Sequence, residues 1–253
     1  MLITKLYTVG GNLATLYNRS KALTSIYDPN PPIPPYTIRV RTSDGQPPIK
    51  DMYTAYETAT LLPGTFDIYD VYKYGTWFEM LDGSTNVIEV LGANTADITQ
   101  MAHLFYRCSN LTTVALFDTS NVTNMAIMFY ECTNLTSVPL FDTSNVTKMV
   151  QMFEGCRNLT TVPLFDTSKV TDMSRMFLYC TKLTTVPLFD TSNVTDMSHM
   201  FHSCANVESG ALALYQQAST QTTIPTHTQA FRDCGSNTVT GAAELALIPD
   251  DWK

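Results

Sequence analysis

The hydrophobic positions of this chain recur every 24 residues from about residue 86 to residue 204. Two phenylalanine columns and one cysteine column mark the units. They consist of Phe105, Phe129, Phe153, Phe177 and Phe201; of Phe117, Phe141, Phe165 and Phe189; and of Cys108, Cys132, Cys156, Cys180 and Cys204. A fixed period of this length is typical of stacked repeat units, since one unit alone cannot bury its hydrophobic face.

The two halves of a unit differ in their hydrophobic spacing. Leu183 to Leu188 is short and β-branched, which predicts a strand, and Pro187 restricts it to a position that needs no N–H in the ladder. In the second half, Val194, Met197, Met200, Phe201 and Cys204 follow the spacing of one helical face. The sequence therefore predicts an α/β repeat solenoid of the leucine-rich-repeat type, with a strand and a short helix in each unit over residues 86–204.

The segment before the repeats has a different composition and divides in two. Residues 1–35 are predicted to form an arm, with a helix from Asn12 to Tyr27 followed by a stiff proline-rich linker. Residues 36–85 are predicted to form a small β-rich module, with strands at 36–42 and 69–75. This module would cap the first repeat unit, through Trp77 and Phe78.

The segment after the repeats, residues 205–253, is predicted to form a helical C-terminal cap. A helix is expected around Gly210 to Tyr215, and a degenerate copy of the repeat follows at Ala230 to Cys234. Trp252 near the end is the natural residue to close the hydrophobic core.

Charge and hydropathy exclude several classes of partner. The chain has a formal net charge of −8, and only 15% of its residues are charged. No cluster of Lys and Arg provides the electrostatic attraction that nucleic acids or anionic membranes require, so neither partner is expected. No apolar run approaches the ~20 residues of a membrane span, so membrane insertion is not expected either.

The cysteines and histidines are the residues to test for chemistry. Because every cysteine stands in a Phe-x-x-Cys position, buried free thiols are the simplest interpretation, with occasional disulfides or a metal as alternatives. His199, His202 and Cys204 are the one group that resembles metal ligands, but no fourth ligand is visible. No catalytic or cofactor motif occurs, so the sequence predicts a protein that is not an enzyme and that has no metal or cofactor.

Four columns vary between units while the hydrophobic columns stay constant. The first column is Gln100, Asn124, Lys148, Asp172 and Asp196; the second is His103, Ile127, Gln151, Arg175 and His199; the third is Tyr106, Tyr130, Glu154, Leu178 and His202; the fourth is Arg107, Glu131, Gly155, Tyr179 and Ser203. Aromatic and arginine side chains are favoured in contact surfaces. The candidates for a binding face are His103, Tyr106, Arg107, Tyr130, Glu131, Gln151, Arg175, Tyr179, His199 and His202. The alternative is that these exposed positions vary without a function.

The unit "VPLFDTSNVTDMSxMFxxC" resembles that of the BspA-like leucine-rich-repeat surface proteins. The resemblance covers about half of the chain, from Val87 to Cys204. It implies a right-handed solenoid that serves in adhesion or recognition at a bacterial or bacteriophage surface, without a general catalytic role.

The first residues, Met1 to Gly11, contain one lysine and no apolar stretch typical of a signal peptide. This favours a bacteriophage virion protein that contacts a host glycan or protein and binds other virion proteins through residues 1–35. A homotrimer would suit such an arm. The alternatives are a bacterial cell-surface adhesin whose export signal is missing and an intracellular interaction scaffold.

Overall fold

The structure, a computed structural model, describes residues 7–9, 12–14, 32–48, 58–62, 65–73, 79–95 and 97–253. Over these residues the protein is small and mostly β, with two α-helices. The strands are β1 (Tyr7–Val9), β2 (Asn12–Ala14), β3 (Thr37–Thr42), β4 (Thr58–Leu61), β5 (Ile68–Tyr72), β6 (Val87–Asn94) and β7 (Thr113–Val114). The helices are α1 (Ala211–Ser219) and α2 (Val239–Leu247), followed by a 3₁₀ turn at Asp250–Trp252.

The main sheet has five strands in the order β4-β5-β3-β6-β7. Strand β3 pairs antiparallel with β5 and with β6, and β6 pairs parallel with β7. Ile38, Val40, Val71 and Val90 are buried on it. The strands predicted at 36–42 and 69–75 are therefore confirmed as β3 and β5. Because β6 lies in the first repeat unit, the upstream strands and the repeats share one sheet.

The helix predicted to begin at Asn12 is wrong at its start. Asn12–Ala14 is strand β2, which pairs antiparallel with β1 in the register Val9 to Asn12. The sequence contains Gly10-Gly11 between the two strands, and a pair of glycines is a standard signal for a two-residue hairpin connection. Residues 15–27 of the predicted helix, together with Trp77 and Phe78, lie outside the described residues.

Successive repeat units are joined through their backbones. Parallel bridges link the residues of the first column and extend one unit further; they join Gln100 to Asn124, Asn124 to Lys148, Lys148 to Asp172, Asp172 to Asp196 and Asp196 to Thr226. The last interval is longer than the others because α1 lies within it. Each unit therefore lies directly against the next.

The short helix predicted in each unit is wrong, and a series of tight turns takes its place. The Leu104 N–H donates to the Met101 carbonyl at 3.2 Å, whereas the His103 N–H donates to Ala126 of the next unit at 3.1 Å. Alternate N–H groups follow these two routes along the segment, and the pattern recurs in the later units. After its first turn, an α-helix directs every N–H group to one of its own carbonyl groups. Here half of the N–H groups hold the neighbouring unit.

This turn series places the second and fourth columns in the left-handed region of backbone conformation. Their φ values range from 53° to 75°, and they include Ile127 at 62° and Gly155 at 75°. For a residue with a β-carbon, this conformation costs about 1–2 kcal/mol. The hydrogen bonds to the next unit offset this free-energy cost.

Gly155 and Ile127 provide a test of this backbone. We expect Gly155→Ala to lower the free energy of unfolding by about 1 kcal/mol, and Ile127→Gly to raise it by about 0.5–1 kcal/mol, because a glycine relieves left-handed strain. An added β-carbon at Gly155 would also lie 3.1 Å from Cγ of Glu131. Urea unfolding of the two variants measures both values. Equal destabilisation by both would contradict the left-handed assignment.

The strand half of the unit is extended, but only two of its described copies, β6 and β7, are strands. They belong to the units that have Leu91 and Ala115 where the later units have Pro139, Pro163 and Pro187. The Ala115 N–H donates to the Val90 carbonyl at 2.8 Å. Proline has no N–H to make this bond. The proline that the sequence places in the predicted strand therefore limits its pairing.

The core of the stack is made of aromatic, thioether and thiol side chains. Rings of the first phenylalanine column stack between successive units at centroid distances of 5.1 to 5.5 Å from Phe105 to Phe201. All six cysteines are buried and free. The interpretation of the cysteines as packing groups is confirmed.

Each thiol of the column also makes a specific hydrogen bond. The Cys132 Sγ donates to the Phe105 carbonyl at 3.0 Å, and the Cys156 Sγ donates to the Phe129 carbonyl at 3.0 Å; Cys180 and Cys204 repeat the contact. Burial raises the pKa of these thiols well above the usual range. They therefore stay protonated and act as donors between neighbouring units.

The C-terminal segment closes the last unit, with α1 confirming the helix predicted around Gly210 to Tyr215. Trp252 is 3% exposed and lies against Phe231, with ring centroids 6.2 Å apart. Its carbonyl accepts the Phe231 N–H at 2.9 Å. Trp252 thus ends the phenylalanine column as the sequence predicts. Within the described part of the chain, neither helix has the length and apolarity needed to cross a membrane.

Candidate functional site

The candidate binding residues lie along the turn segments, on the outer side of the phenylalanine and methionine core. Their positions follow from the backbone, since the second and fourth columns share left-handed φ values and so direct their β-carbons alike from unit to unit. Side chains of the same column therefore lie one above the other in successive units. The structure arranges the ten candidates in two clusters and one groove, which shares His199 with the second cluster.

The aromatic cluster consists of His103, Tyr106, Arg107, Tyr130 and Glu131. The Tyr106 and Tyr130 rings stack at a centroid distance of 4.9 Å, and the His103 ring lies 5.4 Å from that of Tyr106. The Arg107 guanidinium lies 4.8 Å from the centre of the Tyr106 ring. It also donates from Nε to Glu131 at 3.0 Å. The cluster offers two parallel rings bordered by an ion pair.

Partial burial decides the charge states in this cluster. It raises the pKa of Tyr106 and Tyr130, so both phenols are neutral at physiological pH. It lowers the pKa of His103, against an opposing effect of the Glu79 carboxylate, so the imidazole is mostly neutral as well. The phenols can donate and accept hydrogen bonds, and their ring faces can receive an apolar group.

An open groove runs beside the second column in the later units. It is lined by three candidates, Gln151, Arg175 and His199, together with Asp196, Ser198 and Thr228. The Gln151 amide donates to the Glu154 carboxylate at 2.8 Å, which fixes one wall. Cationic, amide and hydroxyl groups therefore converge in one shallow depression.

The histidine cluster consists of Tyr179, His199 and His202. The Nδ1 atoms of His199 and His202 lie 3.3 Å apart, and the Tyr179 ring lies 6.0 Å from that of His202. Burial, Arg232 and His199 lower the pKa of His202, so protonation of the His202 imidazole is disfavoured. Cys204 takes no part, because its buried thiol donates to the Phe177 carbonyl at 3.0 Å.

The repeated aspartates are turn groups, as the sequence predicts. In each of the four units a carboxylate oxygen accepts the N–H of the serine two residues later, at 2.8 to 3.0 Å. For Asp118, Asp142 and Asp166 these hydrogen bonds lower the pKa of the carboxyl group. The acids are thus used locally to hold the turn.

The sequence analysis missed two acidic side chains that lie one period before the first repeat unit. Glu79 and Asp82 lie beside His103, with one ligand atom of each residue within 4.8 Å of the others. They occupy the second and third columns one unit before His103 and Tyr106. That unit has Leu81 and Ser84 where later units have phenylalanine and cysteine, so its membership of the repeat is hidden. Extending the 24-residue register upstream by one period would have revealed this unit and its two acidic residues.

One protein family matches the part of the chain that contains the repeats. The family described as "Mycoplasma protein of unknown function, DUF285" matches residues 77–162, 99–215 and 158–230, together more than half of the chain. The chain belongs to this family. The match is consistent with a BspA-like repeat protein, which is a surface-type repeat protein. No curated protein and no solved structure matches significantly.

Proposed function

We propose that this protein is a non-enzymatic recognition module whose repeats form a leucine-rich-repeat-like solenoid and whose turn face binds a glycan or protein on a cell surface. One observation carries the proposal: the side chains that vary between units lie together on a backbone that does not vary. The ladder of parallel bridges and the buried ring column hold that backbone rigid. A rigid frame lowers the entropic cost of binding, because few groups must be ordered on contact.

The chemistry of the face favours a carbohydrate or a polar protein surface. Stacked Tyr106 and Tyr130 offer ring faces for the apolar side of a sugar or for an aliphatic side chain. The neighbouring Arg107 and Glu131, and the Arg175 groove further along, add hydrogen-bonding groups. Aromatic and arginine anchors of this kind supply most of the free energy in many interfaces.

The setting that we propose is the surface of a bacteriophage particle, with residues 1–35 as the attachment arm, which contacts other virion proteins, and a homotrimer as the assembled form. Family membership among surface-type repeat proteins supports display on an exterior. Mass spectrometry of purified virions tests the location, and light scattering of the purified chain tests the trimer. Recovery from a bacterial envelope alone would favour the alternative of a bacterial adhesin.

Binding to cells tests the recognition role. Labelled protein is applied to intact bacteria of candidate hosts and to an array of bacterial surface glycans. We expect the double variant Tyr106→Ala, Tyr130→Ala to bind at least about 10-fold more weakly than wild type, since central aromatic contacts are commonly worth 2 kcal/mol or more.

The matched control carries Thr136→Ala and Thr160→Ala, two exposed residues of the strand half. This variant keeps wild-type binding if the turn face is the contact surface. If the threonine variant loses binding and the tyrosine variant keeps it, the contact surface is the strand half of the units rather than the turn face. Absence of binding to every cell and glycan would refute the proposal.

A further inference from the structure

Glu79, Asp82 and His103 meet at the first repeat step, where the upstream strands join the stack. Glu79 and His103 both belong to the second column, with φ values of 57° and 59°. The Glu79 N–H donates to the Ala102 carbonyl at 3.2 Å, which fixes the two backbones side by side. Asp82, three residues after Glu79, stands in the third column and is 6% exposed.

The same backbone geometry recurs at each later step, so the residues that occupy it decide its chemistry. Second- and third-column side chains of one unit touch elsewhere, as in the 2.8 Å hydrogen bond from Gln151 to Glu154 and the 3.3 Å contact between the imidazoles of His199 and His202. Among the described residues, only the first step brings together three side chains of the His, Cys, Asp and Glu types.

We propose that Glu79, Asp82 and His103 form a binding site for a divalent transition-metal ion, with two carboxylate oxygens and one imidazole nitrogen as ligands. Oxygen and nitrogen donors of this kind suit Zn²⁺ and Mn²⁺. A zinc ion binds such atoms at roughly 2.0–2.2 Å, which places ligand atoms about 3–3.5 Å apart. The present separations, within 4.8 Å, therefore need only small side-chain rotations to reach coordination.

The position of the site predicts a structural role for the ion. Glu79 and Asp82 belong to the segment one period before the first repeat unit, and His103 belongs to that first unit. An ion held by all three would cross-link these units at the end opposite Trp252. Two carboxylates brought together with one of them buried favour a divalent cation, because its charge offsets theirs.

Zinc titration of the full chain by calorimetry tests the site, together with Co²⁺ absorption spectroscopy. We expect one Zn²⁺ per chain in wild type, and an affinity at least about 10-fold lower in each of His103→Gln, Glu79→Gln and Asp82→Asn. Glutamine is compatible with the backbone at residue 103, since Gln151 occupies the equivalent left-handed position. Circular dichroism verifies that each variant is folded.

Two controls separate this site from other ligands in the chain. His199→Gln together with His202→Gln removes the imidazole pair and is expected to leave the zinc affinity unchanged. The Co²⁺ spectrum is expected to lack a thiolate charge-transfer band, because all six thiols are buried. The proposal is overturned if neither Zn²⁺ nor Mn²⁺ binds, if the three site variants bind like wild type, or if only the double histidine variant loses affinity.

Discussion

Replacing Phe153 with alanine is expected to lower the free energy of unfolding by about 3–5 kcal/mol, the range for removing a buried aromatic side chain. Phe153 is fully buried in the middle of the column. Its ring stacks on Phe129 and on Phe177, at centroid distances of 5.5 Å in each case, and lies 6.2 Å from Phe165. Three neighbours therefore lose contact with one substitution.

The position within the stack adds to this cost. In repeat proteins each unit interacts mainly with its neighbours, so a defect at the centre weakens two interfaces at once. We expect the urea unfolding curve of Phe153→Ala to move to lower denaturant and to become broader, as the two sides of the stack lose cooperativity. Equilibrium unfolding followed by circular dichroism measures both changes.

The matched control is Leu164→Ala in the same region of the stack. Leu164 is 60% exposed, so its truncation is expected to change the free energy of unfolding by about 0.5 kcal/mol or less. Phe153→Leu is expected to fall between the two, because it keeps the hydrophobic character and loses volume. A cost below about 1 kcal/mol for Phe153→Ala would mean that the column is not the main source of stability.

The hydrophobic pattern predicted which residues face inward, because burial follows the spacing of side chains whatever the backbone hydrogen bonds. Met101, Leu104, Phe105 and Cys108 are all fully buried, although they lie on turns rather than on a helix. In this chain the turn series buries residues at the spacing i, i+3, i+4, i+7, which is also the spacing of one face of an α-helix. The period therefore predicted the core and mispredicted the secondary structure.

Left-handed conformations account for most of what the sequence did not reveal. Histidine, isoleucine, glutamine and arginine occupy the second column, and of these only histidine is enriched at positive φ. Two glycines of the fourth column, Gly83 and Gly155, were the available hint. The adjacency of His103 to Glu79 and Asp82 depends on this backbone. It also depends on the segment one period before the first repeat unit, which lacks the phenylalanine and cysteine of the later units.

Replacing Trp252 with alanine is expected to open the C-terminal end of the stack, at a cost of about 3–5 kcal/mol if unfolding remains cooperative. The Trp252 ring stacks on His227 at 4.0 Å and packs edge-on against Tyr215 at 5.3 Å. Beneath it, the Phe231 ring is fully buried and lies 5.9 Å from that of Phe201. Loss of the indole would expose Phe231 to water.

The expected effect is graded along the stack, which distinguishes a cap from an ordinary core residue. Amide hydrogen exchange should accelerate most at Phe231, whose N–H donates to the Trp252 carbonyl, less at Phe201, and least near Phe129. Val239→Ala, at a side chain that is 90% exposed on α2, serves as the control and should leave exchange unchanged. Uniform acceleration across all units would instead mean that the stack unfolds as a whole and that Trp252 stabilises it globally.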